Sequence, residues 1–129
     1  MPSVIERAVG ALRQRQGVRF DATPEEVSVP PASPDGFTVS LRVAGHRLFE
    51  VRCDGWRETF SRAEDAYDCF AFALSDRCRL RVTYRGRRAV AWQIEKHEYG
   101  LWTPGPIVRR RLVPLWRPAR TIHLQNRLF

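Results

Sequence analysis

The chain predicts an α+β fold in which two helices gather on one face of a curved antiparallel sheet. Three observations support this. Two amphipathic stripes have helical spacing, runs of strict apolar/polar alternation lie between and after them, and Gly-containing turns join those runs into a three-stranded meander and a hairpin. At 129 residues the chain suits one domain, with an α-βββ-α-ββ core over residues 3–95 and a basic, Pro- and Arg-rich segment over residues 99–129.

Ser3 followed by Glu6 reads as a capping box. Val4, Ile5, Ala8, Val9 and Leu12 then share one side until Gly17 stops the run, which predicts a helix over residues 3–15. Residues 23–36 contain Pro24, Pro30, Pro31 and Pro34, and read as a surface loop. Phe37, Val39, Leu41 and Val43 alternate with Thr38, Ser40 and Arg42, the pattern of a half-buried strand. A return strand carrying Phe49, Val51 and Cys53 shares that core face only across an odd loop, such as three residues ending with Gly45 in the left-handed region. Asp54-Gly55 then turns the chain into residues 56–60. In that register Glu58 lies opposite Val51, so either a buried partner satisfies it or the strand is an edge and Glu58 faces water; the edge is the expectation.

Ser61 and Glu64 repeat the capping-box signal. A stripe of Ala63, Ala66, Tyr67, Phe70, Ala73 and Leu74 follows, predicting a helix over residues 62–75. Phe72 falls on the opposite side among Asp65, Asp68 and Asp76, either as a lone exposed ring or as an anchor for a partner or a second copy of the chain. Cys78, Leu80, Val82 and Tyr84 then alternate with Arg79, Arg81, Thr83 and Arg85. A three-residue loop of Tyr84, Arg85 and Gly86, with Gly86 left-handed, sets Leu80 opposite Val90 and Cys78 opposite Trp92. Beyond Tyr99, Pro104, Pro106, Pro114 and Pro118 break the chain into short pieces, with extended segments expected at residues 107–113 and 121–125.

Charge is divided along the length. Residues 1–76 hold nine Arg against twelve acids, a balance of −3; residues 77–129 hold twelve Arg and Lys96 against Glu95 and Glu98, a balance of +11. Such a half, which also contains Trp92, Trp102 and Trp116, suits a polyanion, because guanidinium groups pair with phosphate oxygens and flat rings stack on bases. Codon bias in a GC-rich genome also raises Arg, so clustering on one face is the decisive property. Three Cys at spacings of 16 and 9 fit neither a disulfide framework nor a zinc site and read as reduced thiols of a cytoplasmic protein. No run approaches the roughly 20 apolar residues of a membrane span, so no membrane role is expected.

The candidate binding residues are Arg79, Arg81 and Arg85 on one strand face, Arg87 and Arg88 at the turn, and the run Arg109, Arg110 and Arg111; Phe72 is the candidate interface residue. Ion pairing with the acids of the second helix or the meander is the competing account of the strand arginines. His46, His97 and His123 are separate from one another and from the thiols, and no nucleophile stands beside them. No catalytic residue, metal or cofactor is therefore expected.

The element order over residues 3–95 resembles that of the type III secretion chaperone fold and its relatives. The resemblance rests on topology alone and implies a dimer that holds other proteins; no residue role is carried across. The sequence therefore leads to a noncatalytic protein-interaction or adaptor domain, with self-association as a homodimer among its forms. The alternative is a nucleic-acid-binding module using the Arg-rich sheet face and the Arg109 to Arg111 run.

Overall fold

A computed structural model describes residues 3–110 and 116–129. The chain runs α1 (Val4–Arg13), β1 (Asp21–Ala22), β2 (Glu26–Val29), β3 (Val39–Gly45), β4 (Leu48–Cys53), β5 (Trp56–Phe60), α2 (Ala63–Ala73), β6 (Cys78–Arg85), β7 (Arg88–Glu98), β8 (Leu101–Arg109) and β9 (Ala119–Leu124). This is the expected α+β architecture with antiparallel pairing throughout. The strands divide between two sheets, one ordered β1-β2-β3-β4-β5 and the other β8-β7-β6-β9.

α1 begins as the sequence predicts. The Ser3 hydroxyl accepts the Glu6 N–H at 3.1 Å, and Ile5, Ala8 and Leu12 are buried. α2 begins differently: Arg62 is its N-cap, and no side chain caps it. Glu64, the second member of the expected capping box, instead pairs with Arg7 of α1 and ties the two helices together.

The expected loop over residues 23–36 contains β2. Pro24 and Pro30 lie just outside the strand, so neither removes a ladder donor within it, and Val27 and Val29 alternate into the core while Thr23 Oγ1 accepts from the N–H groups of Glu25 and Glu26. β3 and β4 join through His46-Arg47, with Arg47 at φ 51° and Ala44 as an extra residue where the register shifts. The odd count thus comes from a bulge, and Gly45 is not left-handed. Glu58 does lie opposite Val51, and β5 is an edge, so its carboxylate is exposed.

The core lies between the helices and the inner faces of both sheets. Ile5, Leu12 and Phe70 meet Val27, Val39, Leu41 and Val51 from the first sheet and Leu80, Val82, Trp92 and Ile94 from the second. Residues 125–129 strap across this core: the Gln125 N–H donates to the Asp35 carbonyl at 2.7 Å and the Leu128 N–H to the Leu74 carbonyl at 2.9 Å.

All three thiols are free. Burial pushes Cys69 and Cys78 up from 9.0 to about 12, and pushes Cys53 in the same direction. A raised folded value means that this contribution is present below the unfolded value and is lost as pH rises toward 12. Urea unfolding at about pH 8 and about pH 10.5 is expected to show a lower midpoint at the higher pH. The C69A/C78A variant should show a smaller drop; an equal drop would mean that other groups drive it.

Candidate functional site

The hairpin register decides which arginines are available. β6 and β7 turn through Gly86-Arg87 with Gly86 left-handed at φ 64°, as its position in the sequence predicts, but Val90 is an extra residue opposite the Thr83 to Tyr84 step. Leu80 therefore faces Ile94 and Val82 faces Trp92, in place of the expected pairing of Leu80 with Val90 and Cys78 with Trp92. Val90 is still buried, at 4% exposure, but it lines the outer groove.

Arg79 sits opposite Glu95 in this register. Its Nε donates to Glu95 Oε1 at 2.6 Å, its guanidinium lies 4.4 Å from the Trp102 ring centroid, and His123 Nε2 approaches the same carboxylate oxygen at 3.5 Å. Glu95 is 7% exposed, so Arg79 is held by a sheltered partner and is not a free contact. For this one residue the ion-pairing account is the observed one, although the acid comes from β7 and not from α2 or the meander.

Further along the same face, Arg81 and Arg85 from β6 and Arg109 from the edge strand β8 line a groove of about 430 Å³. Thr83, Ala91, Gln93 and Ile107 complete it with Val90, so the lining contains no carboxylate, imidazole or thiol. Gln93 Nε2 donates to the Gly105 carbonyl at 3.0 Å, and Arg85 Nη1 donates to the Arg117 carbonyl at 3.1 Å. Among the described residues, none of Arg81, Arg85 and Arg109 has an ion-pair partner. Three guanidinium groups around one concavity repel one another, and an anion seated between them relieves that repulsion.

The remaining candidates are elsewhere. Arg87 and Arg88 are exposed at the hairpin turn, and Arg110 lies on the other side of β8, where its Nε donates to the Ala89 carbonyl at 2.8 Å. Arg111 and residues 112–113 lie outside the described residues; the earlier part of that expected extended segment belongs to β8, and the segment at residues 121–125 falls in β9 apart from Gln125. Phe72 is half-buried and packs against the core. Among the described residues the exposed large apolar side chains are Leu48, Tyr99, Leu101, Ile107 and Trp116, with Tyr99 fully exposed and Trp116 at 81%.

What the sequence does not show is which member of the run Arg109 to Arg111 extends the β6 face: that Arg109 joins Arg81 and Arg85 while Arg110 does not line the groove depends on β8 pairing with β7. Among the described residues no group of three His, Cys, Asp or Glu side chains could hold a metal ion, and no helix is long and apolar enough to cross a membrane. Comparison with protein-family models, with curated proteins and with solved structures gives no match to this chain. The likeness to the secretion chaperones, drawn from element order alone, thus assigns nothing here.

Proposed function

We propose that this chain is a noncatalytic nucleic-acid-binding module whose ligand lies along the outer face of the β8-β7-β6-β9 sheet. The observation that carries the reading is the convergence of Arg81, Arg85 and Arg109, without carboxylate partners among the described residues, on one groove of about 430 Å³. Phosphate contacts supply affinity without sequence preference, and Thr83 and Gln93 offer hydrogen bonds beside them.

A salt titration of binding to mixed short RNA and DNA tests the reading, after copurifying nucleic acid has been stripped. Three neutralised phosphates of a single strand should give a slope of log affinity against log salt of about −2. The R81Q/R85Q/R109Q variant should bind on the order of 30-fold more weakly, taking about 0.7 kcal/mol for each exposed contact, with little change in stability. Unaltered affinity in that variant would sink the proposal.

A second reading, a protein-interaction or adaptor domain that self-associates or captures another protein, is favoured by Leu101 and Ile107, which are 69% and 43% exposed on β8. No nucleic-acid binding at low salt, together with dimerisation or stoichiometric capture of a protein, is its expected signature.

A further inference from the structure

Arg109 lines a second cavity as well as the groove. Successive residues of a strand point to opposite faces, so while Ile107 and Arg109 face the groove, Val108 and Arg110 face a cleft of about 440 Å³ between β8 and the β4 to β5 turn. This cleft is lined by Arg52, Arg57, Arg109 and Arg110, with Asp54 as its one carboxylate. Asp54 is engaged by the Trp92 indole N–H, at 2.9 Å, and Arg52 by Glu50, at 2.8 Å. Arg57 is exposed and has no ion-pair partner among the described residues; Arg110 donates its Nε to the Ala89 carbonyl. Two basic concavities therefore open on the two sides of one edge strand and share Arg109.

We infer that the two form one continuous site for a single-stranded nucleic acid that crosses β8 at Arg109. The inference rests on the nucleic-acid reading above and narrows its ligand. A duplex has a persistence length of about 150 bp, so it can lie against one side of the strand but does not fold around it onto the other. A single strand turns freely at each nucleotide and exposes its base faces for stacking. Trp116, at 81% exposure, is an accessible ring close by in the chain, since it immediately precedes Arg117, whose carbonyl accepts from Arg85.

The test compares oligothymidylates of about 4 and about 12 nucleotides, lengths within the range a small binding fold covers, with a duplex of the longer length. Wild type should bind the longer strand more tightly than either the shorter strand or the duplex. R57Q/R110Q should weaken the longer strand about tenfold and reduce its salt slope by about 1.4, at 0.7 for each lost phosphate contact, while leaving the shorter strand within about twofold. Because Arg110 also lies over the Trp92 ring, the charge reversal R57E at an exposed, unpartnered position serves as the second variant and should weaken the longer strand alone. Equal loss on both lengths, no loss on either, or a duplex bound as tightly as the single strand would overturn the continuous path while leaving groove binding intact. Failure of the nucleic-acid reading itself would be visible in the wild type, which would then bind none of the three, and it would overturn this inference with it.

Discussion

Replacing Asn126 by Leu is expected to lower the free energy of unfolding by about 4 kcal/mol, because it leaves two buried backbone groups unpaired at roughly 1–3 kcal/mol each. Asn126, the single Asn of the chain, is 4% exposed and clamps both polar groups of Phe37. Its Oδ1 accepts the Phe37 N–H at 3.2 Å, and its Nδ2 donates to the Phe37 carbonyl at 3.0 Å and to the Ala73 carbonyl at 3.5 Å. The amide thereby joins Phe37, two residues before β3, to the last turn of α2. Gly36 leaves room for it, since a Cβ there would come within 2.9 Å of Oδ1. Urea unfolding followed by Trp fluorescence reads the loss directly. Asn126→Asp separates hydrogen bonding from shape: an ionised carboxylate would face two carbonyl oxygens, whereas the protonated acid can donate to one of them. The folded carboxyl would then titrate above its unfolded value of about 3.9, so relative to wild type this variant should gain stability as pH falls toward 4 and lose it as pH rises. A pH-independent difference would show that the amide fills space and does not bond.

Gly55→Ala should cost about 3 kcal/mol through overpacking alone. A Cβ at this position would stand 2.2 Å from Trp92 Cε2 and 2.4 Å from Cζ2, and the backbone there is not left-handed. The ring has little freedom to retreat: its Nε1 is bonded to Asp54, Arg110 lies over it at 5.4 Å, and the side chain is 7% exposed. The same measurement checks the expectation, and a second change tests its cause. Shortening the neighbour, as in G55A/W92L, should recover part of the loss relative to the sum of the two single variants. Strict additivity would show that the contact is not the source.

Local patterns made much of the fold legible. The alternation of Val39 with Leu41 and of Leu80 with Val82, the Ser3 cap, the left-handed Gly86 and the edge position implied by Glu58 all follow from single residues acting on their own neighbourhood. β2 was hidden because its pattern comprises only Val27 and Val29 between prolines, too short to outweigh them. Bulges carry no reliable residue signature, and the one at Val90 had the larger consequence. With the register expected from sequence, Arg79 stands opposite Ala91 and is free; the turn at Gly86-Arg87 moves the pairing by three residues and the bulge by one more, so that Arg79 meets Glu95 and is held. The candidate site was thus legible as a strand face, where period two places Arg81 and Arg85 together. Arg109 and the cleft around Arg57 depend on contacts between distant segments, and Asn126 acts on a backbone 89 residues away.

The prolines of β8 bear on how the molecule behaves in crowded solution. A sheet ordered β8-β7-β6-β9 presents β8 as a free margin, and Leu101 and Ile107 on it are the kind of side chains that draw molecules together into aggregates. Pro104 and Pro106 have no N–H to offer, whichever way they face, and Gly105 lies where the ladder to β7 shifts register. A neighbouring chain attempting to extend the sheet would find its hydrogen-bond template interrupted in the middle of the strand. The same strand that presents Arg109 to both concavities is therefore a poor seed for fibrils.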